Sequence, residues 1–87
     1  MMPVPTRPAV ATMLRLQFEP AQDRWLLLLP HGTVRLNTAA AEILRRCDGR
    51  RSVDEIVSEL EVAFACDALR DDVCSFLAQA RQRGWLQ

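Results

Sequence analysis

The side chains that could carry covalent chemistry are few, and their spacing keeps them apart. Cys47, Cys66 and Cys74 stand 19 and 8 residues from one another with no Cys-x-x-Cys pair, so they frame neither a disulfide scaffold nor a zinc site. They read as small apolar thiols in or near a core. The single histidine, His31, lies in a Pro-His-Gly turn with no second ligand-type residue beside it, a poor start for an activated nucleophile or a metal pair. Asp71 and Asp72 are neighbours, and neighbouring helical positions point about 100° apart rather than toward one proton. All eleven basic residues are arginine, which excludes Schiff-base chemistry and a phosphate-binding lysine on this chain. Three glycines build no phosphate loop, and no His-Glu-x-x-His motif is present. The inventory is that of a non-catalytic binding protein, and no metal or cofactor is expected.

The charges narrow the choice of partner. Over 87 residues the eleven arginines are balanced by eleven acids, yet residues 1–51 hold eight arginines against four acids and residues 52–87 hold three against seven. Much of this is local: Asp54, Glu55, Asp71 and Asp72 fall in first turns of helices and Arg45, Arg46, Arg81 and Arg83 in last turns, where the helix dipole favours each sign. A small winged-helix regulator of nucleic acid would need a basic recognition helix. Here the second and third helices are the acidic part of the chain, so no nucleic-acid partner is expected. The longest apolar run, residues 25–29, is far short of the ~20 residues of a membrane helix. The proline-broken start Met-Met-Pro-Val-Pro-Thr-Arg-Pro lacks the apolar centre of a secretory signal. The expected location is the cytoplasm.

The elements follow from periodicity. Residues 1–12 carry three prolines and no pattern and read as an extended, mobile arm, with order beginning near Met13 in one domain over residues 13–87. Leu14, Leu16 and Phe18 alternate with polar residues as a strand does. Pro20 to Asp23 is a turn, residues 24–29 a second strand, and residues 33–36 a short third one. In the second strand Trp25, Leu27 and Leu29 point to one face and Leu26 and Leu28 to the other. Helices can cover only one of these faces; the other is left to the arm, a partner chain or a ligand. From Asn37 the period becomes helical. Asn37 or Thr38 caps a first helix with the stripe Ala40, Ile43, Leu44 and Cys47. Ser52 and Glu55 form a capping box for a second helix whose apolar face is Ile56, Val57, Leu60, Ala63 and Phe64. Asp67 is the expected cap of a third, with Leu69, Val73, Phe76, Leu77 and Ala80 inward, ending at Gly84. The fold class is α+β, a three-stranded antiparallel sheet followed by three helices. A small open sheet has edges that an extended peptide can complete by strand addition, and residues 33–36 are the candidate edge. Internal pairing of the third strand on both sides is the alternative.

Several segments in order resemble one family. Arg24-Trp25-Leu-Leu-Leu-Leu-Pro30, Val34-Arg-Leu36-Asn37-Thr38-Ala39 with Glu42-Ile43-Leu44, Cys47-Asp48-Gly49, Ser52-Val53-Asp-Glu55-Ile56-Val57 with Leu60, and Asp72-Val73-Cys-Ser-Phe76-Leu77 are similar to PqqD, the coenzyme PQQ (pyrroloquinoline quinone) synthesis protein D. The likeness runs from about Leu14 to Leu86 and departs at Pro30-His31, where the family's turn reads Pro-Glu. It implies a winged-helix-like RiPP recognition element that binds the precursor peptide PqqA and presents it to the radical S-adenosylmethionine enzyme PqqE. Relatives acting in other ribosomal-peptide modification systems share much of the pattern. The resemblance also implies that the peptide lies as an added strand beside strand three and against helix three. The residues expected to hold it are Thr33, Val34, Arg35 and Leu36 on the strand and Arg70, Cys74, Leu77 and Arg81 on the helix. A monomer is expected, with a strand-exchanged dimer through residues 25–29 as the other possibility.

Overall fold

The computed structural model describes residues 6–87. Three strands, β1 (Arg15–Glu19), β2 (Arg24–Leu29) and β3 (Gly32–Arg35), precede three helices, α1 (Thr38–Arg45), α2 (Val53–Ala63) and α3 (Arg70–Gln82). The sheet is antiparallel in the order β1-β2-β3, so β2 is paired on both sides within the one chain. Its register places Leu27 between Leu16 and Val34, and Leu26 between Gln17 and Arg35. Residues directly opposite share a face. The inner face therefore carries Leu16, Trp25, Leu27, Leu29 and Val34 against the helices, where Leu27 is wholly buried. Leu26 and Leu28 are half-buried on the outer face, in rows with Arg15, Gln17, Thr33 and Arg35.

The helix ends explain where each helix starts and stops. The Asn37 side chain accepts from the Ala40 N–H at 2.7 Å, and Ser52 and Glu55 complete the capping box. The α1 stripe Ala40, Ile43, Leu44 and Cys47 is buried, as are Ile56, Val57, Leu60, Val73, Leu77, Ala80, Trp85 and Leu86. Two ends share one hydrogen-bond pattern. After α2, Ala65 N–H donates to Val62 C=O and Cys66 N–H to Glu61 C=O; after α3, Gly84 N–H donates to Arg81 C=O and Trp85 N–H to Ala80 C=O. Both are Schellman motifs. The left-handed position is Gly84 (φ 79°) in one and Ala65 (φ 49°) in the other. The chain therefore turns at Phe64, and Ala63 and Phe64, expected on the buried face of α2, are exposed.

One further expectation is corrected. Asp67 does not cap α3: the N-cap is Leu69, and its N–H donates at 3.1 Å to a carboxylate oxygen of Glu61, in the last turn of α2. A tertiary acceptor replaces the local one. The described part of the N-terminal arm also lies within the fold rather than outside it. Val10 N–H donates to Cys47 C=O at 3.0 Å, Ala11 N–H to Trp85 C=O at 2.8 Å, Gly49 N–H to Pro8 C=O at 3.0 Å and Gln87 N–H to Ala9 C=O at 2.8 Å. Pro8 is fully buried. The peptide groups of residues 8–11 thus meet those of the α1–α2 loop and the C-terminus. These bonds run to the α1–α2 loop and to the segment after α3. Among the described residues no helix is long and apolar enough to cross a membrane.

Candidate peptide-binding cleft

The outer edge of β3 pairs with no strand among the described residues. Which groups it offers follows from the ladder. Leu36 N–H donates to Trp25 C=O at 3.0 Å, and antiparallel pairs alternate between bonded and non-bonded. Val34 therefore exchanges its bonds with Leu27, while Thr33 and Arg35 turn their N–H and C=O groups away from the sheet. A strand laid alongside would find its partners at these two residues.

Beside that edge is a cleft of about 180 Å³ lined by Val34, Arg35, Leu36, Asn37 and Ala40 on one side and by Phe76, Gln79, Ala80, Arg83 and Trp85 on the other. Leu36, Ala40, Ala80 and Trp85 are buried and Phe76 half-buried, giving an apolar floor. Asn37, Gln79 and Arg83 are exposed and form a polar rim, and exposed Arg35 borders the cleft at the strand edge with its side chain in the outer-face row. The Arg83 guanidinium lies 5.3 Å from the centre of the Trp85 ring, an attraction of the cation to the ring face that holds it at the rim. The volume suits one or two side chains of a peptide; a drug-sized ligand needs a larger pocket.

The strand positions expected from sequence are all at this place: Thr33 and Arg35 exposed along the edge, Val34 and Leu36 contributing apolar surface. The helix positions are not. Leu77 is wholly buried in the core, Arg70 pairs with Asp54 at 2.6 Å, Cys74 and Arg81 are half-buried, and none of the four lines the cleft. At about 100° per residue, the stripe of residues 70, 74, 77 and 81 lies on the flank of the core stripe that faces α2. Residues 76, 79, 80 and 83 lie on the opposite flank and face β3. Phe76 was legible only as a core residue; a half-buried aromatic followed by Gln79 and Arg83 at helical spacing is the signal for this second role.

Around the α1–α2 loop the ionisable groups are committed to structure. Arg46 binds Glu42 at 2.8 Å and Glu59 at 3.0 Å, and Arg51 binds Glu59 at 2.9 Å and Asp48 at 2.8 Å. The arginine cluster around the α1–α2 loop is therefore largely neutralised. The hydrogen bond from Arg46, aided by Arg45, holds the Glu42 carboxyl below the usual range against the cost of its burial. Backbone N–H groups of Arg50 and Arg51 do the same for Asp48, and those of the capping box for Glu55. The buried Cys47 thiol lies 3.3 Å from Ile43 C=O, and burial pushes its pKa up to about 12. Cys66 is exposed and Cys74 half-buried.

Comparison with known proteins places these features in a family. Residues 24–86 match the model of coenzyme PQQ synthesis protein D (PqqD). The PqqA binding protein of Azotobacter vinelandii is 43% identical over 81 residues, covering 92% of this chain and 88% of that protein. That of Methylococcus capsulatus is 37% identical over 78 residues, covering 90% and 84%. Among solved structures, the solution structure of the PqqD truncation of Methylobacterium extorquens PqqCD, described as a functional, stand-alone RiPP recognition element, is similar with a TM-score of 0.77 and 28% identity, covering 92% of this chain and 87% of that one. PqqD from Xanthomonas campestris is similar with a TM-score of 0.60 and 32% identity, covering 91% and 90%.

Proposed function

Because the chain belongs to the PqqD family, we propose that it is a non-catalytic peptide chaperone of pyrroloquinoline quinone biosynthesis, which binds the precursor peptide PqqA and presents it to the radical S-adenosylmethionine enzyme PqqE. The observation that carries the reading is the open edge of β3 fronting an apolar-floored cleft against α3. PqqA enters as a fourth strand, exchanging backbone bonds with Thr33 and Arg35. Its alternate side chains drop between β3 and α3 onto Leu36, Phe76, Ala80 and Trp85. Backbone pairing supplies affinity with little sequence preference, and the side chains on the floor supply selectivity. The protein acts as a monomer in the cytoplasm, because one edge and one cleft hold one peptide. The iron-sulfur cluster and S-adenosylmethionine belong to PqqE.

Titration of isotope-labelled protein with the PqqA peptide tests this reading. Amide shifts should concentrate on residues 32–37 and on Phe76, Gln79, Ala80 and Arg83. Shifts confined to Arg70, Cys74 and Arg81 would move the peptide to the α2 side of α3 and overturn the assignment.

A further inference from the structure

The charges around the cleft carry more than its shape does. Five arginines of the described residues are paired with acids: Arg7, Arg45, Arg46, Arg51 and Arg70. The other six, Arg15, Arg24, Arg35, Arg50, Arg81 and Arg83, have no acidic partner among the described residues; Arg83 stands on the α3 rim of the cleft and Arg35 on the β3 edge beside it, and the cleft lining contains no Asp or Glu. In a chain of zero net charge with eleven acids, this is a local excess of positive charge beside an apolar floor. Arg83 is also held in place over Trp85, so little freedom is lost when it engages an anion. Building on the proposed peptide site, we infer that the cleft selects an acidic-apolar segment, one in which carboxylate side chains meet Arg35 and Arg83 while a neighbouring apolar side chain rests on Phe76 and Ala80. Nucleic acid fits less well: the cleft holds only one or two side chains, and the first turn of α3 carries Asp71 and Asp72. The arginines act at the rim, where they raise the association rate and discriminate against basic or neutral peptides.

A thermodynamic cycle tests the inference. Wild-type protein, Arg83→Gln and Arg35→Gln/Arg83→Gln are titrated by calorimetry with the PqqA peptide and with a version in which every Asp and Glu is replaced by Asn and Gln, at low and at 0.5 M salt. Exposed charge pairs of this kind give roughly 3- to 10-fold in affinity together, largely removed by salt. The expected result is that loss for the double variant with the native peptide, a similar loss for the carboxylate-free peptide on wild-type protein, and no further loss when both are combined. Equal affinity of wild-type and double-variant protein for the native peptide overturns the inference and leaves the cleft standing as the peptide site. Additive losses also overturn it: if the double variant weakens the carboxylate-free peptide as much as it weakens the native one, the arginines act without the carboxylates. Absence of any saturable binding of PqqA to wild-type protein removes the peptide site itself and the inference with it. A single-stranded oligonucleotide that competes as well as the peptide overturns it in favour of phosphate recognition.

Discussion

Cys47 and Glu42 show how burial and charge set the reactivity of single side chains here. The Cys47 thiol is desolvated, and its pKa rises to about 12, so almost no thiolate exists near neutral pH and alkylation requires the core to open. Iodoacetamide at pH 8 should modify Cys66 quickly, Cys74 more slowly, and Cys47 only in denaturant, read by mass spectrometry of digested protein. Fast native labelling of Cys47 would contradict its burial. The same shift has a sign for stability. Because the native thiol keeps its proton where the unfolded one loses it, Cys47 favours the fold below about pH 9 and this contribution is lost as pH rises toward 12. Glu42 acts in the opposite range. Its pKa is lowered by Arg46 and Arg45, so its contribution is present above the pKa of an unfolded glutamate and is lost as pH falls through the native value. Glu42→Gln should cost about 1 kcal/mol at pH 7 and progressively less as pH falls below the range of an unfolded glutamate, seen as a flatter acid limb in a plot of Tm against pH.

At the scale of the element, β3 and the helix ends carry the predictions. Thr33 turns its N–H outward, so Thr33→Pro removes a peptide-pairing donor while leaving the β2 ladder whole. It should abolish most PqqA binding with little change in Tm. Val34→Pro instead removes a donor that faces Leu27 and should lower Tm markedly, so loss of binding in that variant alone would say nothing about the edge. At the end of α2, Ala65 holds the left-handed position that Gly84 fills after α3. Ala65→Gly should therefore stabilise the protein by about 0.5–1 kcal/mol and Gly84→Ala should destabilise it by at least as much, measured by urea unfolding. These cases also mark what could be read from sequence. The strands, the three helices, the Asn37 cap and the Ser52–Glu55 box were legible because each depends on residues within one turn of each other. Which flank of α3 meets β3 was not, since Leu77 is flanked on both sides by residues of the same kinds and only the packing of α2 against Arg70 and Leu69 decides it. The cap of α3 was missed for the same reason: its acceptor, Glu61, lies in another helix.

For the whole molecule the consequential feature is how residues 8–11 meet the C-terminal segment. Residues read as a free arm donate to and accept from Cys47, Gly49, Trp85 and Gln87, and bridges join Ala9 to Asp48 and Val10 to Leu86. Residues 8–11 thus lie against the α1–α2 loop and against the segment that follows α3, whose Trp85 also forms part of the floor of the cleft. A chain of 87 residues has a small core, burying only roughly 60–65% of its unfolded surface, so a few such contacts weigh heavily. Deleting residues 1–11 would leave the Cys47 and Trp85 carbonyls without these partners and expose the side of Leu86 that Val10 covers. At about 1 kcal/mol per lost hydrogen bond plus the uncovered apolar area, the cost should be about 3–5 kcal/mol. Because Trp85 supports Arg83, the truncated protein should also bind PqqA more weakly under conditions where it remains folded, and adding the missing segment as a separate peptide should restore part of the stability. Urea unfolding of full-length and truncated protein, with and without that peptide, measures both effects. An unchanged midpoint would show that residues 1–11 contribute nothing to the fold and would support a domain that starts at Met13.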